Sequence, residues 1–214
     1  METKELEMRT LNVVFSTTDE NGVIEGRPVV YNSRADIGMF DEIIEPGALN
    51  NTDLTDVRFC LNHDTSFVYA RSRRNNANST MQLVVDEQGL GMRAVLDIEN
   101  SSRARDLYSA IKRGDIDKMS FMFGVRGDRW DDIDSEHPTR HITDVSTVVE
   151  VSAVTFPAYN ATSINARSKE ALDNARAALE SERKQSADAV ETVRNNTLEL
   201  ELLKEKTKFL KGLN

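Results

Sequence analysis

This sequence predicts a mainly β domain, either a barrel or a sandwich, followed by a long C-terminal helix. Short apolar runs of β-type residues alternate with turn residues, and many short strands are typical of those two architectures. The runs are Leu11–Phe15, Val23–Tyr31, Val57–Leu61, Met81–Val85, Met92–Ile98, Met119–Val125 and Val145–Phe156. From Lys169 to Lys211 the chain contains no Gly or Pro and is rich in good helix formers, which predicts the helix.

Turn and capping residues predict three local elements. Asp86–Gly89 separates two apolar runs and indicates an antiparallel hairpin. Ser101 or Ser102 caps a helix whose apolar residues recur at helical spacing and which ends before Gly114. The acidic segment Asp128–Arg140 contains a proline, which favours a solvated loop between two core strands.

The net charge, the cysteine count and the lack of long apolar runs argue against several classes of function and location. The net charge of -9 argues against nucleic acid as a partner, because phosphate binding needs a basic surface. The single cysteine, Cys60, cannot form an internal disulfide, and no apolar run approaches the roughly 20 residues that span a bilayer. Met1–Arg9 lacks the apolar core of a signal peptide. We expect a cytoplasmic protein without membrane partners.

The change in composition predicts two domains, residues 1–166 for the β domain and residues 167–214 for the helix. A heptad seam that starts at Leu172 is apolar at both ends and polar in the middle. This pattern favours a weak coiled coil or a partner-docking helix over a tight zipper, and a solvated charged helix is the alternative. We expect a homo-oligomer of undetermined size.

His63 is the first candidate for chemistry. It lies in Asn62-His63-Asp64, where an apolar strand ends and the chain becomes polar. Barrels display reactive groups at strand ends, although a single histidine in such a place is more often structural.

Ser120 is the candidate nucleophile. Strand alternation sends it to the face opposite Met119 and Phe121, between large apolar neighbours that would hold it rigidly. A serine needs a neighbouring base to attack at neutral pH, and a core serine bonded to backbone is the alternative. Ser152 is the other candidate nucleophile.

Glu150 is a carboxylate inside the apolar run Val145–Phe156. Burial of an unpaired carboxylate costs several kcal/mol, so Glu150 either faces water or has a cationic or hydrogen-bond-donating partner. A histidine ring would serve, and a strand-edge glutamate paired with an arginine is the alternative.

His137 and His141 have a four-residue spacing that occurs in metal sites, and several acidic residues lie nearby. Pro138 between them breaks the helix that would place both rings on one face. The sequence therefore predicts no metal site and no cofactor.

Three motifs occur in a distinctive order. They are Asn62-His63-Asp64, Met119-Ser120-Phe121-Met122-Phe123 and Glu150-Val151-Ser152-Ala153-Val154-Thr155-Phe156-Pro157-Ala158-Tyr159. Together they resemble the prohead proteases of tailed phages, which carry an NHD-type histidine, an MSF-type serine and an EVS segment that continues to PAY. The resemblance covers roughly Arg9 to Ile164.

The resemblance implies a fold related to the herpesvirus assemblin proteases, a closed antiparallel β-barrel ringed by helices. It also implies a serine endopeptidase whose catalytic triad is His63, Ser120 and Glu150. One departure is Tyr69-Ala70, where many members have an apolar residue followed by glycine. Arg126 and Arg167 are candidates to frame the oxyanion hole.

The same resemblance implies a role in capsid maturation. Such proteases lie inside assembling procapsids in the host cell cytoplasm, remove the scaffolding segment of the major capsid protein and cleave themselves. A non-catalytic capsid assembly or scaffolding protein is the rival from another class. An esterase is disfavoured because no Gly-x-Ser-x-Gly elbow surrounds Ser120.

Overall fold

The computed structural model describes residues 6–11, 15–18, 20–156 and 169–189, together with residues 191, 194 and 197. The chain divides into two compact units, Met1–Lys169 and Glu170–Asn214. The first unit is mainly β, and the described residues of the second are helical. No helix within these described ranges is long and apolar enough to cross a membrane. The expected domain boundary at residue 167 lies outside the described residues and stays a prediction.

The first unit contains a succession of strands with one α-helix, α1 (Ser102–Arg113), before the last two strands. The strands are β1 (Leu6–Leu11), β2 (Phe15–Thr17), β3 (Val23–Val30), β4 (Arg34–Asp36), β5 (Asp41–Ile44), β6 (Asp56–Leu61), β7 (Ala70–Arg73), β8 (Met81–Asp86), β9 (Gly89–Val95), β10 (Lys118–Asp131) and β11 (Thr139–Val154).

These strands form two sheets. The larger has seven strands in the order β1-β10-β11-β5-β4, with β6 pairing to β11 and β7 to β6. The smaller has the order β2-β3-β9-β8. One edge of β11 pairs antiparallel with β10, and its other edge pairs parallel with β5 near its start and with β6 near its end. The larger sheet therefore branches at β11.

The prediction of a closed antiparallel β-barrel ringed by helices is wrong for the described residues. Both sheets are open, and two of the pairings in the larger sheet are parallel. The physical reason is the length of β11, whose 16 residues offer one edge to two successive partners instead of to a single closing strand. Within the described part of the first unit, α1 is the one α-helix, so no ring of helices surrounds the sheets.

Two local predictions are confirmed. Strands β8 and β9 form the antiparallel hairpin around Asp86–Gly89, where a Cβ on Gly89 would lie 2.1 Å from the Val29 carbonyl oxygen. Helix α1 is capped by the Ser101 side chain, which accepts from the Ala104 amide, and it ends at Gly114 in the left-handed conformation. Residues 169–189 are helical, which confirms that part of the predicted helix, and most of residues 190–211 lie outside the described residues.

The prediction of a solvated loop over Asp128–Arg140 is right for residues 132–138 and wrong at both ends. Strand β10 continues to Asp131 and β11 begins at Thr139, so the loop is shorter than predicted. At the ends of this segment, charged side chains pair across the two strands: Arg140 Nε donates to the Asp128 carboxylate at 2.6 Å. This pair stabilises a polar hairpin. Of the run Leu11–Phe15, Leu11 ends β1, Phe15 begins β2 and residues 12–14 lie outside the described residues.

Close packing between the two sheets fixes the position of β10. Met119 is fully buried against β3, where Gly26 leaves room for it; a Cβ on Gly26 would lie 2.5 Å from the Met119 sulfur. Phe15 and Phe59 pack edge to face across the sheets, with ring centroids 6.2 Å apart. Since tightly packed cores resist small displacements, the strand that carries Ser120 is held rigidly.

Candidate active site

The turn after β6 carries His63. The Asn62 amide donates to the Ala153 carbonyl of β11 at 2.9 Å, and the Asp64 amide donates back to the Leu61 carbonyl at 3.0 Å. Both Asn62 and His63 adopt the left-handed conformation, with φ of 52° and 62°. Non-glycine residues in this region cost about 1–3 kcal/mol each and cluster at functional sites. The turn thus places His63 beyond the end of β6 and fixes the conformation of its backbone.

Ser120 lies near the start of β10, with β1 on one side and β11 on the other. Its Cα pairs with Thr10 and with Ser152, and its side chain is completely buried. The Ser120 Oγ atom lies 2.7 Å from His63 Nε2 and 2.8 Å from the backbone carbonyl oxygen of Arg9. The structure therefore brings the predicted nucleophile and the predicted base together across 57 residues of sequence.

Glu150 lies on β11, next to an irregularity in the pairing with β10. Met122 pairs with Glu150, whereas Phe123 pairs with Val148, so Val149 is the extra residue of a β-bulge. The Glu150 side chain is 2% exposed, and its Oε2 atom lies 2.6 Å from His63 Nδ1. Of the two expectations for this carboxylate, the one with a buried hydrogen-bond-donating partner is confirmed.

The partners of His63 define its tautomer. An ionised carboxylate can only accept, so Nδ1 carries the proton that is donated to Glu150. In the neutral ring, Nε2 then has a free lone pair directed at the Ser120 hydroxyl. This arrangement can accept a proton from the serine and can stabilise the imidazolium that results, because Glu150 is negatively charged and excluded from water.

Ser152 supports both ends of this arrangement. Its hydroxyl donates to Glu150 Oε1 and accepts from the His63 backbone amide at 3.0 Å. Ser152 is fully buried. The alternative nucleophile of the sequence analysis thus has its proton engaged by a carboxylate and contacts the backbone of His63, whereas the His63 ring faces Ser120.

Asn62 ties the same turn to the end of β11. Its side-chain carbonyl oxygen accepts from the Thr155 amide at 2.9 Å and from the Thr155 hydroxyl at 3.2 Å. The Asn-His-Asp and Glu-Val-Ser-Ala-Val-Thr motifs, which are far apart in sequence, are therefore joined by several hydrogen bonds.

A buried ionic cluster lies beside the Arg9 strand, and the sequence analysis did not predict it. Arg9 donates to Glu42 at 2.8 Å, and Arg140 donates to Glu7 at 2.9 Å and to Asp128 at 2.6 Å. Burial alone would raise the pKa of Glu7, but the two guanidinium groups outweigh it and lower the pKa. These pairs anchor β1, whose Arg9 carbonyl accepts from the nucleophile candidate. The partners are distant in sequence, so no local pattern could have revealed them.

Arg126 does not lie at the site. It is six residues along β10 from Ser120, a distance of about 20 Å in an extended strand. Its guanidinium donates to both carboxylate oxygens of Asp144 at 3.0 Å. Arg167, the other candidate to frame an oxyanion hole, lies outside the described residues.

The two remaining histidines bind different acidic groups. His137 Nε2 lies 3.3 Å from Asp41, and His141 Nδ1 lies 3.1 Å from Glu45. Asp36, Asp41 and His137 offer ligand atoms within 4.8 Å of one another. The Arg34 guanidinium already donates to Asp41 at 2.8 Å, which disfavours a cation there. His141 is not part of this group, so the two histidines do not share one site.

Comparison with known proteins shows the family of the chain. Neither a curated protein nor a solved structure matches the chain. A family model, that of the caudovirus prohead serine protease, matches residues 4–176 and thus includes His63, Ser120 and Glu150. The chain belongs to the family of caudovirus prohead serine proteases.

Proposed function

We propose that the chain is a capsid-maturation endopeptidase with a catalytic triad of Ser120, His63 and Glu150. The observation that carries this proposal is the continuous row of hydrogen bonds from the Glu150 carboxylate through both ring nitrogens of His63 to the Ser120 hydroxyl. Each residue has the chemical type and the neighbour that nucleophilic catalysis requires.

In the first half-reaction, Ser120 Oγ forms a bond to the scissile carbonyl carbon while its proton moves to His63 Nε2. Glu150 stabilises the imidazolium through the 2.6 Å contact with Nδ1. Backbone N–H groups stabilise the oxyanion of the tetrahedral intermediate. When the carbon–nitrogen bond breaks, His63 returns the proton to the leaving amine and an acyl-enzyme remains.

In the second half-reaction, His63 takes a proton from water and the resulting hydroxide attacks the acyl carbon. The bond to Ser120 Oγ breaks, the proton returns to the serine from Nε2, and a free carboxylic acid leaves. Ser152 acts as a positioning residue in both halves, because its hydroxyl contacts Glu150 and the His63 backbone amide.

The proposed substrates are the scaffolding segment of the major capsid protein and the chain itself, inside assembling procapsids in the host cell cytoplasm. The family description, which names a prohead protease, supports this assignment. The charged helix predicted over residues 169–211 is proposed as a homo-oligomerising, scaffold-like tail that self-cleavage removes. Its change of composition from the β unit supports the idea.

The test compares wild-type protein with Ser120→Ala, each assembled with the cognate major capsid protein into procapsids. Intact-mass analysis should find a shortened capsid protein and a shortened protease only with the wild type. Processing by both proteins alike would contradict the role of Ser120. If neither is processed in assembled procapsids, the non-catalytic scaffolding function is favoured instead.

A further inference from the structure

A cavity of about 610 Å³ lies between the turn that carries His63 and helix α1. This volume falls in the range of about 300–1,000 Å³ that is usual for ligand pockets. Asn62 and Asp64, the neighbours of His63 on either side, line the cavity, and so does Ile116, four residues before Ser120. The cavity wall thus includes both sequence neighbours of the candidate base and a residue of the segment that leads into β10.

One part of the cavity wall is apolar. The rings of Phe67 and Tyr69 pack edge to face with centroids 4.8 Å apart, and Leu61 and Leu107 contribute aliphatic surface. Such a surface accommodates the methylene groups of a long side chain without leaving a polar group unpaired.

The rim of the cavity has a net negative charge. Asp64 and Asp106 contribute two carboxylates, and Arg103 contributes one guanidinium. The Arg103 guanidinium lies over the Phe67 ring, 4.8 Å from its centroid. Hydrogen bonds from the Ser66 side chain and backbone lower the pKa of Asp64, so this carboxylate stays ionised at neutral pH.

We propose that this cavity binds a substrate side chain close to the cleaved peptide bond, and that it prefers a long basic side chain, Lys or Arg, over an acidic one. The proposal deepens the function proposed above and rests on it. The aromatic and aliphatic wall contacts the stem of the side chain, and the carboxylates at the rim attract its cationic end.

The test uses full-length protein and a mixture of peptides of broad composition, with cleavage sites read by mass spectrometry. Wild type is compared with Asp106→Lys, which reverses one rim charge, and with Glu87→Lys, which makes the same change on the β8–β9 hairpin, outside the cavity. We expect wild type and Glu87→Lys to cleave with basic residues enriched at one fixed position. We expect the basic enrichment to be about fivefold lower for Asp106→Lys, because one exposed ion pair changes a binding constant by about that factor.

Arg103→Gln provides a second, opposite test, because it removes the rim cation and should increase the basic enrichment by a similar factor. Cleavage by wild type without a basic preference, or with a preference that neither rim variant changes, would overturn the subsite while leaving the protease function intact. Absence of any cleavage that depends on Ser120 would overturn the proposed function, and the subsite with it.

Discussion

The Ser120 hydroxyl lies 2.8 Å from the backbone carbonyl oxygen of Arg9, on the neighbouring strand β1. The same oxygen atom of Ser120 lies 2.7 Å from His63 Nε2. A hydroxyl has one proton, so both contacts are satisfied together only when Nε2 carries a proton and donates to Oγ. When the His63 ring is neutral, the serine proton has to turn from Arg9 to His63 before attack. The Arg9 carbonyl oxygen therefore competes with His63 Nε2 for the proton of the Ser120 hydroxyl.

Glu150→Gln tests the carboxylate that contacts His63 Nδ1. A neutral amide does not stabilise the imidazolium and can present a donor to Nδ1, which favours the unproductive tautomer. We expect kcat/KM to fall by about 10³–10⁴-fold. Glu87→Gln, on an exposed turn, is the matched control and should keep full activity. Equal activity of the two variants would rule out a catalytic role for Glu150.

Ser152→Ala separates positioning from nucleophilic attack. It leaves Glu150 Oε1 and the His63 amide without their shared partner, and an unsatisfied buried group costs about 1–3 kcal/mol. We expect kcat to fall about 5- to 150-fold with little change in KM, which corresponds to a rise of about 1–3 kcal/mol in the activation free energy. Ser152→Thr, which keeps the hydroxyl, should recover part of it. A Ser152→Ala variant as inactive as Ser120→Ala would instead favour Ser152 as the nucleophile.

Cys60 should be inert although it lies next to the triad strands. It is fully buried, and burial raises the pKa of its thiol to about 12, with the negative charge of Glu150 contributing. Because the thiolate is the reactive form, iodoacetamide at neutral pH should leave the folded protein unmodified. Intact-mass analysis of native and denatured protein checks this. Rapid modification of the native form, with loss of activity, would contradict it.

The buried ionic cluster predicts sensitivity to acid. The pKa of Glu7 is lowered in the folded protein, because Arg9 and Arg140 outweigh the effect of burial. Ionised Glu7 therefore stabilises the fold above the ordinary carboxyl pKa, and that contribution is lost as the pH falls through the lowered value. Glu7→Gln should be less stable at pH 7 by about 1–3 kcal/mol and should lose less stability on acidification. Urea unfolding at several pH values measures both.

The residues of the candidate site could be singled out from local patterns, and the order of the three motifs, through the family resemblance, joined them into a triad. A polar Ser120 within an apolar strand and a carboxylate at Glu150 within another require partners, and His63 at a strand end can be one. The contacts among them depend on strand pairing across 57 and 87 residues of sequence, which no local pattern encodes.

The open, branched sheet could not be predicted for the same reason. Alternation within β11 shows which side chains face the core, yet it does not show that β5 and β6 share one edge of that strand. The contact between the Arg9 carbonyl and Ser120 could not be predicted either, because every residue has a backbone carbonyl whatever its type. The two ends of the predicted loop, Asp128–Asp131 and Thr139–Arg140, are strand because side chains pair across the β10–β11 hairpin.

The most direct test of the central claim is to locate the site of covalent modification by a fluorophosphonate, a reagent that reacts with an activated serine. Full-length wild type, His63→Ala and Ser152→Ala would be treated alike, digested and mapped by tandem mass spectrometry. We predict one adduct, on Ser120, in wild type, a slower reaction at the same residue in Ser152→Ala, and none in His63→Ala. An adduct on Ser152, or none on protein that cleaves its capsid substrate, would contradict Ser120 as the nucleophile.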